Sequence, residues 1–243
     1  MTITSAHKVT DAHMHLPVNY QSFPEKRDAL LREMQKNGVS RGVIISDSEL
    51  ESSIGSLTDC AELFRGHTDI AVIGGISPYI QYETQLKVLE TYLSDGEVVG
   101  IKLFCGHEPI FLNAPVLEPI FDLAAKYTVP VLFHTGWDNA QYTAPHIIRE
   151  TAEKHPKVKL VCCHCCYPAP TACFEALLPV QNVFFDISSI ADSDPSAFKK
   201  HSNRRSIKPR SGSFSARTSE AATKKRTSIL HEHCKSRTGT EVS

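Results

Sequence analysis

The stretch VTDAHMHLPVN leaves a short β-branched run and sets two histidines one residue apart, His13 and His15, with Asp11 just before them. Side chains on a strand alternate between faces with period two. Residues i and i+2 therefore share a face, and the two imidazoles form a pincer if the strand runs through both. Two further histidines close apolar runs: His134 ends VPVLFHT and His164 ends VKLVCCH. Strand ends that meet would bring all four rings to one mouth. Neutral imidazole nitrogen is a good zinc ligand, and three protein ligands with an open position is the usual catalytic arrangement, at bond lengths of about 2.0–2.1 Å. Such an ion brings the pKa of bound water toward ~7 and polarises a carbonyl. A lone His-x-His is more simply a polar strand end. The recurrence of histidine at other strand ends favours the metal.

Other polar residues have two readings each. Lys102, in VGIKLF, either faces the mouth, where it would stabilise a substrate carboxylate, or snorkels at a strand end. Asp11 either orients a ligand histidine or caps a turn. Asp186, in FFDIS, needs a partner if it points inward, although strand register could turn it to the helix face. Trp137 and Asn139 follow His134 in a loop and are placed to line a pocket. The run CCHCC does not fit a zinc finger. Adjacent cysteines on a strand point to opposite faces, and no second Cys-x-x-Cys arm follows, so these thiols read as small buried hydrophobes. The remaining histidines, among them His67, His107, His146 and His155, are expected to face solvent.

These residues are spaced by a regular rhythm. Strand signals at KVTDAHM, RGVIIS, DIAVIGGI, VVGIKLF, VPVLFHT, VKLVCCH and NVFFDIS are short and mostly apolar, as suits strands buried on both faces. Between them, helical patterns run over Glu25–Lys36, Leu57–Phe64, Tyr82–Leu93, Val116–Lys126, Ala144–Lys154 and Thr171–Leu178. Repeated βα units imply an α/β fold with a parallel sheet. No glycine fingerprint follows the first strand, and polar groups recur at several strand ends. That favours a TIM-barrel-like (β/α)8 barrel, whose chemistry gathers at the C-terminal ends of its strands, over an open sheet.

The rhythm stops after FFDISSIADSDPSAF. Residues 1–198 read as the barrel domain, and residues 199–243 as a basic Ser-, Lys- and Arg-rich tail with one aromatic residue, Phe214. Such a segment cannot repay its ordering entropy and is expected to be disordered, leaving the barrel incomplete at its last strand. The formal charge of -1 conceals this division. Residues 1–195 hold 24 acidic and 14 Lys or Arg residues, and residues 196–243 hold 3 and 12. The 243 residues contain no apolar run of spanning length and no secretory pattern at the start, so a cytoplasmic chain with no membrane partner is expected. The eight cysteines read as reduced thiols, since a chain of this size needs no disulfide staples. Homo-oligomerisation would cover an exposed sheet edge.

Taken together, DAHMH, GIKLF, VPVLFHTG, VCCHC and NVFFDIS resemble the metal-dependent amidohydrolase superfamily over roughly residues 8–190. The branch they are most similar to holds amidohydrolase-related hydrolases and the aminocarboxymuconate-semialdehyde decarboxylase type. The resemblance implies that His13, His15 and His134 bind a divalent metal, zinc before others, and that His164 binds a second metal or contacts substrate and water. Lys102 matches the strand that carries a bridging lysine in some binuclear members, but this branch is normally mononuclear. The family also places an aspartate at the end of strand eight, and none follows Asp194 here. The nearest fragment is SGSFSARTSE. This departure points to an altered C-terminal portion and to weakened turnover.

The implied function is metal-assisted hydrolysis of an amide, ester or lactone-like bond in a small, carboxylate-bearing molecule. Non-oxidative decarboxylation of an unsaturated acid is the alternative at the same centre. A rival of another class is a non-catalytic protein whose basic tail contacts nucleic acid through charge alone. The tail lacks interleaved aromatic platforms, which weighs against it.

Overall fold

In the structure, a computed structural model that describes residues 9–188 (137–139 as backbone alone), every strand and helix signal becomes an element. In chain order these are β1 Val9–Met14, α1 Phe23–Lys36, β2 Val39–Ile45, α2 Leu57–Phe64, β3 Ile70–Gly75, α3 Tyr82–Ser94, β4 Ile101–Leu103, α4 Glu118–Tyr127, β5 Val131–Phe133, α5 Pro145–Lys154, β6 Leu160–Cys162, α6 Pro170–Leu177 and β7 Val183–Phe185. The strands pair in sequence order, each parallel to the next. Among the described residues β1 and β7 are sheet edges, so the array is an incomplete (β/α)8-like barrel. The eighth strand, the boundary at residues 198/199 and the basic tail lie outside the described residues, as do the side chains of Trp137 and Asn139.

Helix starts follow local chemistry. Ser22 and Glu25 form a reciprocal capping box that starts α1 at Phe23, two residues before the apolar pattern predicts. Ser56 and Asp59 form another at α2. Each box satisfies two backbone N–H groups that a helix start leaves open. Pro115–Leu117 forms a short 3-10 turn, which is why α4 begins at Glu118 rather than Val116.

Strand alternation then separates two apolar volumes. Ile44, Ile101, Leu103, Val131, Phe133, Leu160 and Cys162 point outward and pack under the helices in the larger cluster. Val43, Ile45, Ile73 and Leu132 point inward with Cys163 and fill the barrel. Phe184 belongs to the inward set by register with Val161, yet it is 39% exposed because β7 borders the open seam. No helix among the described residues is long and apolar enough to cross a membrane.

Candidate metal centre

Register carries one inward row across five strands: Gly75, Lys102, Leu132, Val161 and Phe184 are paired in turn. Side-chain period two puts the next inward row at His134, Cys163 and Asp186, immediately beyond the ends of β5, β6 and β7. This second row opens onto the C-terminal mouth. Lys102 lies in the row below it, in the middle of β4 and 1% exposed, with its Nζ donating to Cys163 Sγ at 3.1 Å. It therefore forms the floor of the mouth rather than its rim.

The histidine pair enters from β1. That strand ends at Met14, and its pairing with β2 shifts between Asp11 and Met14, so His13 and His15 are not two steps of one regular ladder. Their Nε2 atoms nevertheless approach to 3.3 Å. The Nδ1–H of His15 donates to the Ile45 carbonyl at 2.8 Å, which fixes the tautomer of a neutral ring with its proton on Nδ1. Asp11 accepts the His13 backbone N–H at 3.1 Å, the turn-capping alternative of its two readings. The Nδ1 of His13 meets the Asp186 carboxylate, and Ser188 Oγ lies 3.3 Å from the same nitrogen. These contacts join the ends of β1 and β7 across the seam.

His164 stands beside this pair, its ring centroid 5.0 Å from that of His13 and 5.0 Å from that of His134. Its Nδ1 is held by Ser188 Oγ at 2.8 Å. The backbone there is unusual: His164, Cys165 and Cys166 have φ of +64°, +44° and +56°. Left-handed backbone costs roughly 1–3 kcal/mol per non-glycine residue and persists only where its surroundings hold it. Thr135 does so, donating its hydroxyl to the Cys163 carbonyl at 2.5 Å and accepting the Cys166 N–H at 2.7 Å. The next residue, Gly136, has φ +91°, and a Cβ there would lie 2.1 Å from the Tyr167 carbonyl oxygen. Gly136→Ala is therefore expected to force the β6 turn away from β5 and to lower stability by at least the ~1–3 kcal/mol of its backbone strain. The urea unfolding midpoint measures this, and an unchanged midpoint would contradict the close approach.

Electrostatics divides three of the rings, those of His13, His134 and His164. Burial alone would lower the His13 pKa, but the charge and hydrogen bond of Asp186 outweigh it and raise it to about 9. Burial works against the Asp186 charge as well, yet His13 holds that carboxyl well below its usual range. Burial, then the charge of His13, lowers His164 to about 3. Burial and the neighbouring His164, His107 and Lys102 push His134 well below its ordinary value. At neutral pH the mouth thus holds an ion pair and two neutral imidazoles. Neutral imidazole is the form that ligates metals.

Among the described residues, the group of three potential ligands whose donor atoms all lie within 4.8 Å of one another is His13, Cys163 and Asp186. This His/Cys/Asp cluster is able to coordinate a divalent metal. The Nε2 separation of His13 and His15 is also close to the roughly 3.4 Å that two 2.0–2.1 Å bonds subtend at a tetrahedral angle. Of the residues singled out in the sequence, the structure brings His13, His15 and His164 together, places His134 one ring farther along, and sets Lys102 beneath them. Asp186 faces inward, not toward the helices. Three contributors were missed. Cys163 is the inward half of its pair, Ser188 bridges two rings, and His107, exposed as expected, lies tilted against His134 with centroids 4.1 Å apart.

Solved structures share this architecture. A TIM-barrel protein from Bordetella bronchiseptica is similar with a TM-score of 0.60 at 17% identity, covering 75% of each chain. A probable 2-pyrone-4,6-dicarboxylic acid hydrolase from Acinetobacter baumannii, with citric acid bound, gives 0.57 at 14%, covering 94% of this chain and 95% of that one. The 5-carboxyvanillate decarboxylase of Sphingomonas paucimobilis gives 0.56 at 11%, covering 81% and 84%. No curated protein sequence matches this chain. The amidohydrolase family model matches residues 10–217, from β1 past the last described strand. With the strand order and the histidine-lined mouth, that match establishes that this chain belongs to the amidohydrolase family.

Proposed function

We propose that this chain is a metal-dependent hydrolase acting on an amide, ester or lactone-like bond of a small carboxylate-bearing molecule. The observation that carries the reading is the convergence of His13, Cys163 and Asp186 at the open end of the barrel, with His15 and His164 against them. A divalent metal bound there, zinc by the nature of the donors, supplies Lewis acidity and a lowered water pKa.

His13, His15 and His134 are the nitrogen donors in this reading. The Ile45 carbonyl holds the His15 tautomer, and Asp186 fixes the ring of His13 and raises its basicity. Asp186, from the end of β7, brings a carboxylate to His13, the kind of group that a strand-eight acid would supply. His164 is neutral and anchored by Ser188, so it orients a reactant by hydrogen bonding rather than by charge. Lys102 gives the floor a positive charge, the right sign for a substrate carboxylate above it. Two proteins of similar fold, the probable 2-pyrone-4,6-dicarboxylic acid hydrolase and the 5-carboxyvanillate decarboxylase, support a carboxylated substrate. The second of them also supports decarboxylation as the alternative reaction. The described cysteines are free thiols, in keeping with a cytoplasmic setting.

Purified full-length chain is expected to carry about one zinc per chain, and a panel of carboxylated lactones, esters and amides should reveal hydrolysis that a chelator abolishes. Carbon dioxide release from unsaturated acids in place of hydrolysis would assign the alternative. A His15→Ala chain should lose stoichiometric zinc. Wild-type protein that binds no divalent metal would end the reading.

A further inference from the structure

We propose that Cys163 supplies a sulfur ligand to the metal of this mouth, making the centre a mixed nitrogen, oxygen and sulfur site. The inference rests on the metal reading above and goes beyond it, because nothing in the histidine pattern calls for sulfur.

Position comes first. Cys162 and Cys163 are adjacent and point to opposite faces of β6. Cys162 joins the outer core under the helices, while Cys163 turns into the barrel. It is fully buried, in the same inward row as His134 and Asp186. Its sulfur lies within 4.8 Å of a His13 ring nitrogen and an Asp186 oxygen. With bonds of about 2.3 Å to sulfur and about 2.0–2.1 Å to nitrogen or oxygen, a tetrahedral shell sets its donors about 3.4–3.6 Å apart, so a grouping within 4.8 Å needs to tighten by no more than about 1.4 Å when the ion binds.

The surroundings of the sulfur come second. Val43, Ile45, Ile73 and Leu132 line its lower side, as for any buried thiol. Apolar packing does not account for its upper side. There an imidazole and a carboxylate converge on it, while the Lys102 ammonium reaches it from the row below at 3.1 Å. A neighbouring ammonium stabilises a thiolate, the form in which cysteine ligates metals. The thiol proton leaves to solvent when the metal binds. A thiolate donor favours zinc or cobalt(II) over harder ions such as magnesium or manganese, which prefer oxygen.

Cobalt(II) titration of the reduced, metal-free full chain tests this without reference to activity. Visible ligand-field bands report that cobalt is held by protein donors, and a near-ultraviolet sulfur-to-cobalt charge-transfer band reports a thiolate. The wild type should show both, and Cys163→Ser should keep the cobalt while losing the charge-transfer band. Cobalt bound without that band, or a band that persists in Cys163→Ser, overturns the Cys163 assignment and leaves the metal reading intact. No cobalt uptake at all overturns the metal reading and this inference with it. Should Cys163→Ser fail to fold, cadmium NMR of the wild type decides. A resonance shifted far downfield of nitrogen and oxygen sites supports sulfur ligation, and one within their range refutes it.

Discussion

Replacing Asp186 with alanine is expected to cost about 3 kcal/mol of stability at neutral pH and to weaken zinc binding. Breaking a buried ion pair typically costs ~3–5 kcal/mol, and the low end applies because His13 can shed its proton once its partner is gone. The same carboxylate orients the His13 ring, and loss of such a partner usually lowers metal affinity about 10–100-fold. Asp186→Asn separates the two contributions. Its amide oxygen can still accept from Nδ1, so ring orientation and much of the affinity should survive while the charge is lost. Denaturant unfolding of the metal-free protein and zinc competition titrations measure both effects. An alanine variant equal to wild type in both would show that the bridge between β1 and β7 contributes nothing.

The second large effect is an asymmetric dependence of stability on pH in the metal-free protein. His164, lowered to about 3, and His134, also lowered, stay neutral in the folded chain while the unfolded chain takes up protons below about pH 6.5. The unfolded state then binds more protons, so stability falls with acidification, by up to about 2.7 kcal/mol per pH unit for two groups. His13 behaves oppositely. Its raised value, about 9, gives a contribution complete below about pH 6.5 and lost as pH rises through about 9, at up to ~1.4 kcal/mol per unit. The lowered pKa of Asp186 adds stability above the ordinary carboxylate range and gives it up only in strong acid. Stability should therefore peak near about pH 6.5, with an acid limb about twice as steep as the alkaline one. Urea midpoints across this range would show it, and His164→Gln should halve the acid slope. A flat acid limb would place these rings in water.

Much of this fold could be read from local chemistry. Helix α2 runs over Leu57–Phe64, as its apolar spacing predicts, because Ser56 and Asp59 fix its first turn without help from the rest of the chain. The seven strands were equally plain, since short apolar runs between helical patterns admit few other structures. The site was legible in its histidines and less so in its other members. Alternation says that Cys162 and Cys163 face opposite ways, yet only the pairing of Val161 with Leu132 decides which one enters the barrel. Asp186 posed the same ambiguity, settled by the pairing of Cys162 with Phe185. The placement of Lys102 on the floor depends on the shortness of β4, which ends at Leu103. His107 reads as a plain loop residue, because its ring contact with His134 depends on how the β4 loop folds back over β5. Each miss was a contact between distant segments that no local pattern encodes.

The seam between β1 and β7 has a consequence for how the molecule stays whole. The first and last described strands are not hydrogen-bonded partners, but His13 meets Asp186 and Ser188 across the gap. An ion held at the mouth by groups from both edges of the described array would thus be a clasp as well as a reagent. Zinc at a hundredfold over its dissociation constant would add about 2.7 kcal/mol to the resistance of those two edges to springing apart. Cargo and latch would then be one and the same, and starving the protein of metal would loosen its architecture before any substrate arrived.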